Sequence, residues 1–246
     1  MITSKNNELI KKCSKIKDKK YSKAEGLCLV QSIKIVSQLY LKGLVKQILV
    51  TEDKFDLVKL YSKTKIEIIS DSIANDLSDA VTHDGVFAIC SIPNQNTGKC
   101  DFSRCLVLDK IQDPSNMGAI IRSAYAFGYT TIFSIDSVYP YTYKGIRSSM
   151  GYVFDIDFID VDYTQFQDIK KENNISVFVA DMDGEIVDGD YSFDGNLAIV
   201  IGNEGNGVSQ VMLDMSDKVV SIPMQNDVES LNASVSAGIL MYLLKK

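Results

Sequence analysis

The stretch LVLDKIQDPSNMGAIIRSAYAFG, residues 106–128, decides the fold. It reads as a short apolar strand, Leu106 to Leu108, then a polar loop, then a helical pattern from Asn116 to Phe127. Further strand signals follow at Thr131 to Ser134, Ser176 to Ala180, Leu197 to Ile201 and Lys218 to Ser221, and a last helical pattern runs from Ser230 to Leu244. Strands that alternate with helices predict an α/β fold with a mostly parallel sheet covered on both faces. In such sheets ligands collect beyond the carboxyl ends of the strands. Three loops meet that condition: Asp109 to Gly118, the run Gly202-Asn-Glu-Gly-Asn-Gly207, and Ile222 to Ser234.

Upstream, residues 1–95 read as a separate small α/β/α unit. It has a basic helix near Asn7 to Lys17, strands Leu27 to Val30, Gln47 to Thr51, Lys65 to Ile69 and Val86 to Ile89, and helices over Ser32 to Lys42, from about Phe55, and over Asp71 to Leu77. Gly43 is placed to end the Ser32 to Lys42 helix. The run IPNQNTGKCDFS has the Pro, Asn, Gly and Ser content of a linker, placed at 96–104, with the second domain at 105–246.

The chain has 246 residues, 24% of them charged, and a formal net charge of −6, so any nucleic-acid partner must meet a local basic patch. Between Lys5 and Lys23 there are eight lysines against Glu8 and Asp18, a local balance of 8 − 2 = +6. Five cysteines without CxxC spacing read as reduced thiols of a cytoplasmic protein, and a single histidine, His83, leaves no zinc-site pattern and no expected metal. His83 reads as a turn residue. The longest apolar run, Ala237 to Leu244, is far below the roughly 18 residues of a membrane span. It is apolar on nearly every side, so burial is expected.

Taken singly, the three loops have plain readings. Asn116 and Gly118 suit a helix start, Ser230 and Asn232 suit caps of the last helix, and the glycines at 202, 205 and 207 have neither the dinucleotide-binding nor the P-loop order. Their co-occurrence in this order is more specific. With Asn116, Gly118, Arg122 and Gly128, then Gly202, Glu204, Gly205 and Gly207, then Ile222, Pro223, Met224, Ser230, Leu231 and Asn232, and RSSMG at 147–151, the chain resembles the SpoU (TrmH-like) family of SPOUT methyltransferases. The segment KAEGLCLVQSIKIVSQLYLKG is similar to the L30e-like RNA-binding domain of that family's ribosomal-RNA branch. It carries Gln31-Ser32 where that branch has Glu-Gly.

The resemblance implies a deep C-terminal trefoil knot, S-adenosylmethionine as methyl donor, and a ribose 2′-hydroxyl of RNA as acceptor, with ribosomal RNA of the 23S type favoured over transfer RNA. It implies a homodimer, with the C-terminal helix at the interface. Cofactor contacts carry over to Gly202, Ile222 and Leu231, with Asn203, Met224 and Ala233 beside them; glycine at 202 would let the backbone approach the ligand. Arg122 is the implied catalytic residue. A guanidinium is a poor proton acceptor, so phosphate binding or alkoxide stabilisation is at least as plausible a role as that of a base. Asn116 and Asn232 are expected to orient Arg122, Glu204 to fix the guanidinium or the loop, and Ser230 to complete the polar set. Lys11, Lys12, Lys19 and Lys20 are the expected phosphate contacts. A non-catalytic RNA-binding or ribosome-assembly factor is the competing class; a nucleotide-dependent oxidoreductase lacks its fingerprint.

Overall fold

A computed structural model describes residues 1–79, 82–93, 100–188, 191–225 and 230–245. They divide into two compact units, one of Met1–Asn94 with Tyr141–Phe154, the other of Gln95–Pro140 with Asp155–Lys246. The linker expected at 96–104 lies outside the described residues over 96–99. The segment Tyr141–Phe154, read from sequence as part of the second domain, groups with the first unit.

The first unit runs α1 (Glu8–Lys15), α2 (Lys19–Glu25), β1 (Leu27–Gln31), α3 (Ile33–Leu41), β2 (Val45–Thr51), β3 (Lys65–Ile69), α4 (Asp71–Leu77) and β4 (Val86–Ser91). Its sheet order is β1-β4-β2-β3, with β4 antiparallel to both neighbours and β2 parallel to β3. The basic helix expected near Asn7 to Lys17 is α1, and a second short helix, α2, which the sequence reading did not assign, follows it. Asp18 starts the second: its carboxylate accepts the Tyr21 N–H and caps α2. The helix expected from Phe55 is a 3₁₀ turn over Glu52–Leu57. Ile10, Cys13 and Ile16 bury one side of the lysine-rich segment against Leu29, Leu49, Ile73 and Phe87, which leaves the lysines on the other.

Two departures from the expected pattern sit at the end of β1. Ser32 holds φ at 121°, a region suited to glycine, and the Gln31 side chain pairs with the Ser78 hydroxyl at 3.1 Å. His83 is a turn residue, as expected: its Nδ1 accepts the Gly85 N–H at 3.1 Å and its Nε2 meets Asn75.

After β5 (Arg104–Asp109), α5 (Pro114–Phe127) and β6 (Thr131–Ile135), a short helix α6 (Tyr143–Ser148) belongs to the first unit. The second unit resumes with β7 (Asp157–Asp160), α7 (Tyr163–Glu172), β8 (Ile175–Ile186), β9 (Asn196–Ile201), α8 (Gln210–Met215), β10 (Lys218–Ser221) and α9 (Ala233–Leu243). Its six strands are ordered β10-β8-β9-β5-β6-β7, and every described pairing is parallel. The sheet is therefore the mostly parallel one read from the alternation. Buried runs such as Leu106-Val107-Leu108 and Leu197 to Ile201 follow, because a central parallel strand is covered on both faces.

The last helix buries Ala233, Ala237, Leu240 and Met241 and packs on α5 and β9. Its end is pinned, since the Leu244 carbonyl accepts from Arg104 Nε at 2.9 Å and from the Tyr129 hydroxyl at 3.1 Å. Val235 and Tyr242 on α9 and Tyr125 on α5 stay exposed. The five cysteines are free thiols, and burial pushes that of Cys13 up to about 12. Among the described residues no helix is long and apolar enough to cross a membrane.

Candidate active site

The three loops singled out from sequence leave the carboxyl ends of β5, β9 and β10, as parallel topology requires. The first two are joined by one carboxylate, and the third is linked to them through Asn116. Glu204 accepts the Gln112 and Asp113 backbone N–H groups, each at 3.1 Å, and the Asn116 side-chain amide at 3.0 Å. Asn116 in turn accepts from Asn232 Nδ2 at 3.0 Å, and Asn232 caps α9 by accepting the Ser234 N–H at 2.9 Å. Asn232 is thus a cap of α9, and its amide donates to Asn116 rather than to Arg122. Partial burial raises the Glu204 carboxyl, but the bonds from Asn116 and from backbone N–H groups outweigh it and hold it below its ordinary value.

The Gly202–Gly207 loop folds on itself. Asn203 and Gly207 exchange backbone hydrogen bonds at 2.9 and 3.0 Å, and the Asn203 side chain accepts the Gly205 and Asn206 N–H groups while donating to the Lys110 carbonyl. Glycine is required at 202 because a Cβ there would run into the backbone of Gly207 and Val208. Loop closure is therefore a physical reason for glycine at this position. Beneath the loop, the fully buried Asp109 accepts from the Tyr163 hydroxyl at 2.8 Å and the Ser209 N–H at 2.7 Å, which fixes the end of β5 to the far side of the same loop.

A cavity of about 260 Å³ opens between these loops. Gly202, Asn203, Glu204, Ile222, Met224, Ser230, Leu231 and Ala233, all read from sequence as site residues, line it. The sequence reading missed Ala180, Asp181, Met182, Val208, Ser236 and Leu240, along with Ile201 and Val220 at the ends of β9 and β10. Val208, Ser236 and Leu240 lie within or beside the motifs. Ala180 to Met182 precede Gly184, whose Cβ would collide with the Val220 backbone, at the point where the β8–β10 register shifts. The Asp183-Gly184 pair was the available signal. None of the described lining residues is Lys or Arg.

Arg122 stands apart. It lies six residues after Asn116, a rotation that places it roughly 120° around α5. It is exposed, does not line the cavity, and makes no hydrogen bond or ion pair among the described residues. The expected orientation of its guanidinium by Asn116, Asn232 or Glu204 is not present; the three orient one another and the loop. Lys11, Lys12, Lys19 and Lys20 are in the first unit, with Lys11 near Glu8 at 3.4 Å. Of the other lysines of that segment, Lys5 pairs with Asp76 and Lys17 with Asp79.

Comparison with known proteins gives the same answer as the loops. A 23S rRNA (guanosine(2553)-2′-O)-methyltransferase from Bacillus subtilis, RlmP, is 26% identical over 246 residues, spanning 99% of this chain and 98% of its own. An rRNA methyltransferase from Sinorhizobium meliloti, solved with AdoMet, superposes with a TM-score of 0.85 at 20% identity, over 98% of this chain and 95% of that one. AviRb of Streptomyces viridochromogenes, also solved with AdoMet, gives 0.85 at 22% identity and 96% coverage of each. At those identities the two structures establish a shared fold. The model of the SpoU rRNA Methylase family matches residues 103–242, more than half of the sequence and all three loops, and the chain belongs to that family.

Proposed function

We propose that this protein is a cytoplasmic S-adenosylmethionine-dependent methyltransferase that modifies a ribose 2′-hydroxyl of ribosomal RNA, of the 23S type. The observation that carries the reading is the chemistry of the cavity. It has apolar walls from Ile222, Leu231, Val208 and Leu240, polar backbone from the Gly202–Gly207 loop, and an acidic side chain at Asp181 without a cationic one among the described lining. Such a site suits a phosphate-free nucleoside that bears a positive charge, and it opposes the pyrophosphate of a nicotinamide dinucleotide. Bound there, S-adenosylmethionine supplies an activated methyl group.

Gly202, Asn203, Ile222, Met224, Leu231 and Ala233 are assigned to its binding. Asn116, Glu204, Ser230 and Asn232 hold the loops in register, so that the acceptor ribose meets a preformed wall. Arg122, without a hydrogen bond or ion pair among the described residues, is assigned to the RNA, where a planar guanidinium engages a phosphate or stabilises the forming alkoxide. The first unit serves as an L30e-like RNA-binding domain through Lys11, Lys12, Lys19 and Lys20. The second is the catalytic domain, with the knot of the family. A homodimer through the exposed Tyr125, Val235 and Tyr242 face completes the reading.

Similarity to RlmP along both units favours ribosomal over transfer RNA. Retention of Asn116, Arg122, Glu204, Ser230 and Asn232 speaks against a non-catalytic assembly factor. Calorimetric titration with S-adenosylmethionine and with NAD tests the pocket. Saturable binding of the first and none of the second is expected; the reverse would overturn the assignment.

A further inference from the structure

A second depression shares Asn203 and Gly207 with the cofactor cavity, and so lies across that loop from it; its remaining lining is Lys110, Gln112, Asn206 and Ser209. The two differ in sign. The cavity has carboxylates and no cation in its described lining, whereas the depression has a cation and no carboxylate. Lys110 is exposed and pairs with no carboxylate among the described residues; its ammonium lies 6.0 Å from the centre of the Tyr163 ring. The side-chain amides of Gln112 and Asn206 are exposed and make no hydrogen bond among the described residues. The nearby Glu204 carboxylate spends both oxygens on Gln112 N, Asp113 N and Asn116 Nδ2.

The backbone that presents this lysine is held on both sides. The Lys110 N–H donates to the Ile135 carbonyl at 2.9 Å and its own carbonyl accepts from Asn203 at 2.8 Å. Those bonds keep φ at 61°, in the left-handed region that glycine or asparagine fills with less strain. A long cation therefore stands, against local preference, on a rigid corner between the first two motif loops.

We propose that this depression is a phosphate subsite that receives the RNA backbone beside the nucleotide being methylated, with Lys110 supplying the charge and Gln112 and Asn206 the neutral donors. The inference rests on the RNA-methyltransferase reading above. It places one strand contact on the catalytic unit itself, independent of the lysines of the first unit. A phosphodiester bound here would lie against the far side of the loop that walls the cofactor, so binding would orient the strand without entering the cavity.

The test is Lys110→Gly, which removes the cation while suiting the backbone. A role in loop geometry alone would leave RNA binding intact or improved. With an unmodified 23S ribosomal RNA transcript as probe, the variant is expected to melt no lower than the parent and to bind S-adenosylmethionine equally. Its RNA affinity should fall severalfold, and the slope of log affinity against log salt should flatten by about 0.7 to 0.9. Lys110→Glu should fall further. If the parent binds and methylates the transcript and Lys110→Gly matches its affinity and slope, the subsite is refuted and the enzymatic reading stands. If the parent binds but does not methylate, the enzymatic reading fails, and the salt slopes still decide the subsite. A parent that does not bind the transcript refutes both.

Discussion

The Gly202–Gly207 loop and the lysine segment of α1 and α2 represent opposite ways of building a binding surface. In the loop, Asn203 alone makes five hydrogen-bond connections, two through its backbone to Gly207 and three through its side chain, and Glu204 ties the loop to α5. In the lysine segment the apolar side is buried and the ammonium groups project from exposed helices, several balanced by acids of the same unit. A preformed surface recognises by shape, and a charged, adaptable one by field. The first suits a small cofactor of fixed outline, the second a polyanion.

The sharpest way to break this contrast is at Arg122, which belongs to neither. Arg122→Ala is expected to lower methyl transfer at least a hundredfold with cofactor affinity unchanged, because the side chain does not line the cavity and makes no hydrogen bond or ion pair among the described residues. Arg122→Lys should fail too if planar contact matters. Near-normal single-turnover rates for the alanine variant would take Arg122 out of the mechanism.

Neutralising Lys11, Lys12, Lys19 and Lys20 together should weaken RNA binding and reduce its salt slope by up to about 0.7 to 0.9 for each phosphate no longer engaged, with cofactor binding untouched. A quadruple variant with the parent's slope would return these lysines to a solvated helix face.

Gly202→Val should weaken S-adenosylmethionine at least tenfold, or ~1.4 kcal/mol, by forcing the loop open at Gly207 and Val208. Unchanged calorimetric affinity would show that this loop is not the pocket.

Acid should do reversibly what substitution does at Glu204. Its folded carboxyl lies below the ordinary 4.5, so the deprotonated form supports the loop fully above that value, and the support is lost as pH falls through the lower folded value. Glu204→Gln leaves at least one of three donors without its oxygen, and should raise the cofactor Kd a fewfold at neutral pH and flatten the acid limb. An acid limb unchanged in that variant would assign it to another group.

The smallest effect is at Ser32. Ser32→Gly removes a strained φ of 121° and should stabilise the first unit by about 1 kcal/mol in chemical denaturation; a destabilised variant would mean the serine side chain compensates locally.

The sequence disclosed the second unit well because burial on both faces gives parallel strands continuous apolar runs, and because the loops after them carry rare residue combinations. It disclosed β7, α6 and α8 poorly: they span four to six residues, too few for a period to show. The start of α2 was written in the sequence as the capping residue Asp18, yet the lysine run on both sides masked that helix. Most of the cavity lining was legible since it lay within the motifs. Ala180 to Met182 were not, because they reach the site through a register shift in β8, a tertiary event with only a glycine to mark it. The separation of Arg122 from Asn116 was calculable from helical geometry, and resemblance to a motif obscured it.

The central claim is methyl transfer to a ribose hydroxyl. Incubating the protein with methyl-labelled S-adenosylmethionine and unmodified 23S ribosomal RNA, then digesting to nucleosides and separating them by mass spectrometry, tests it directly. The expected result is label in a single 2′-O-methylnucleoside, absent with Arg122→Ala. Label in a base, or none despite bound cofactor and RNA, would contradict it.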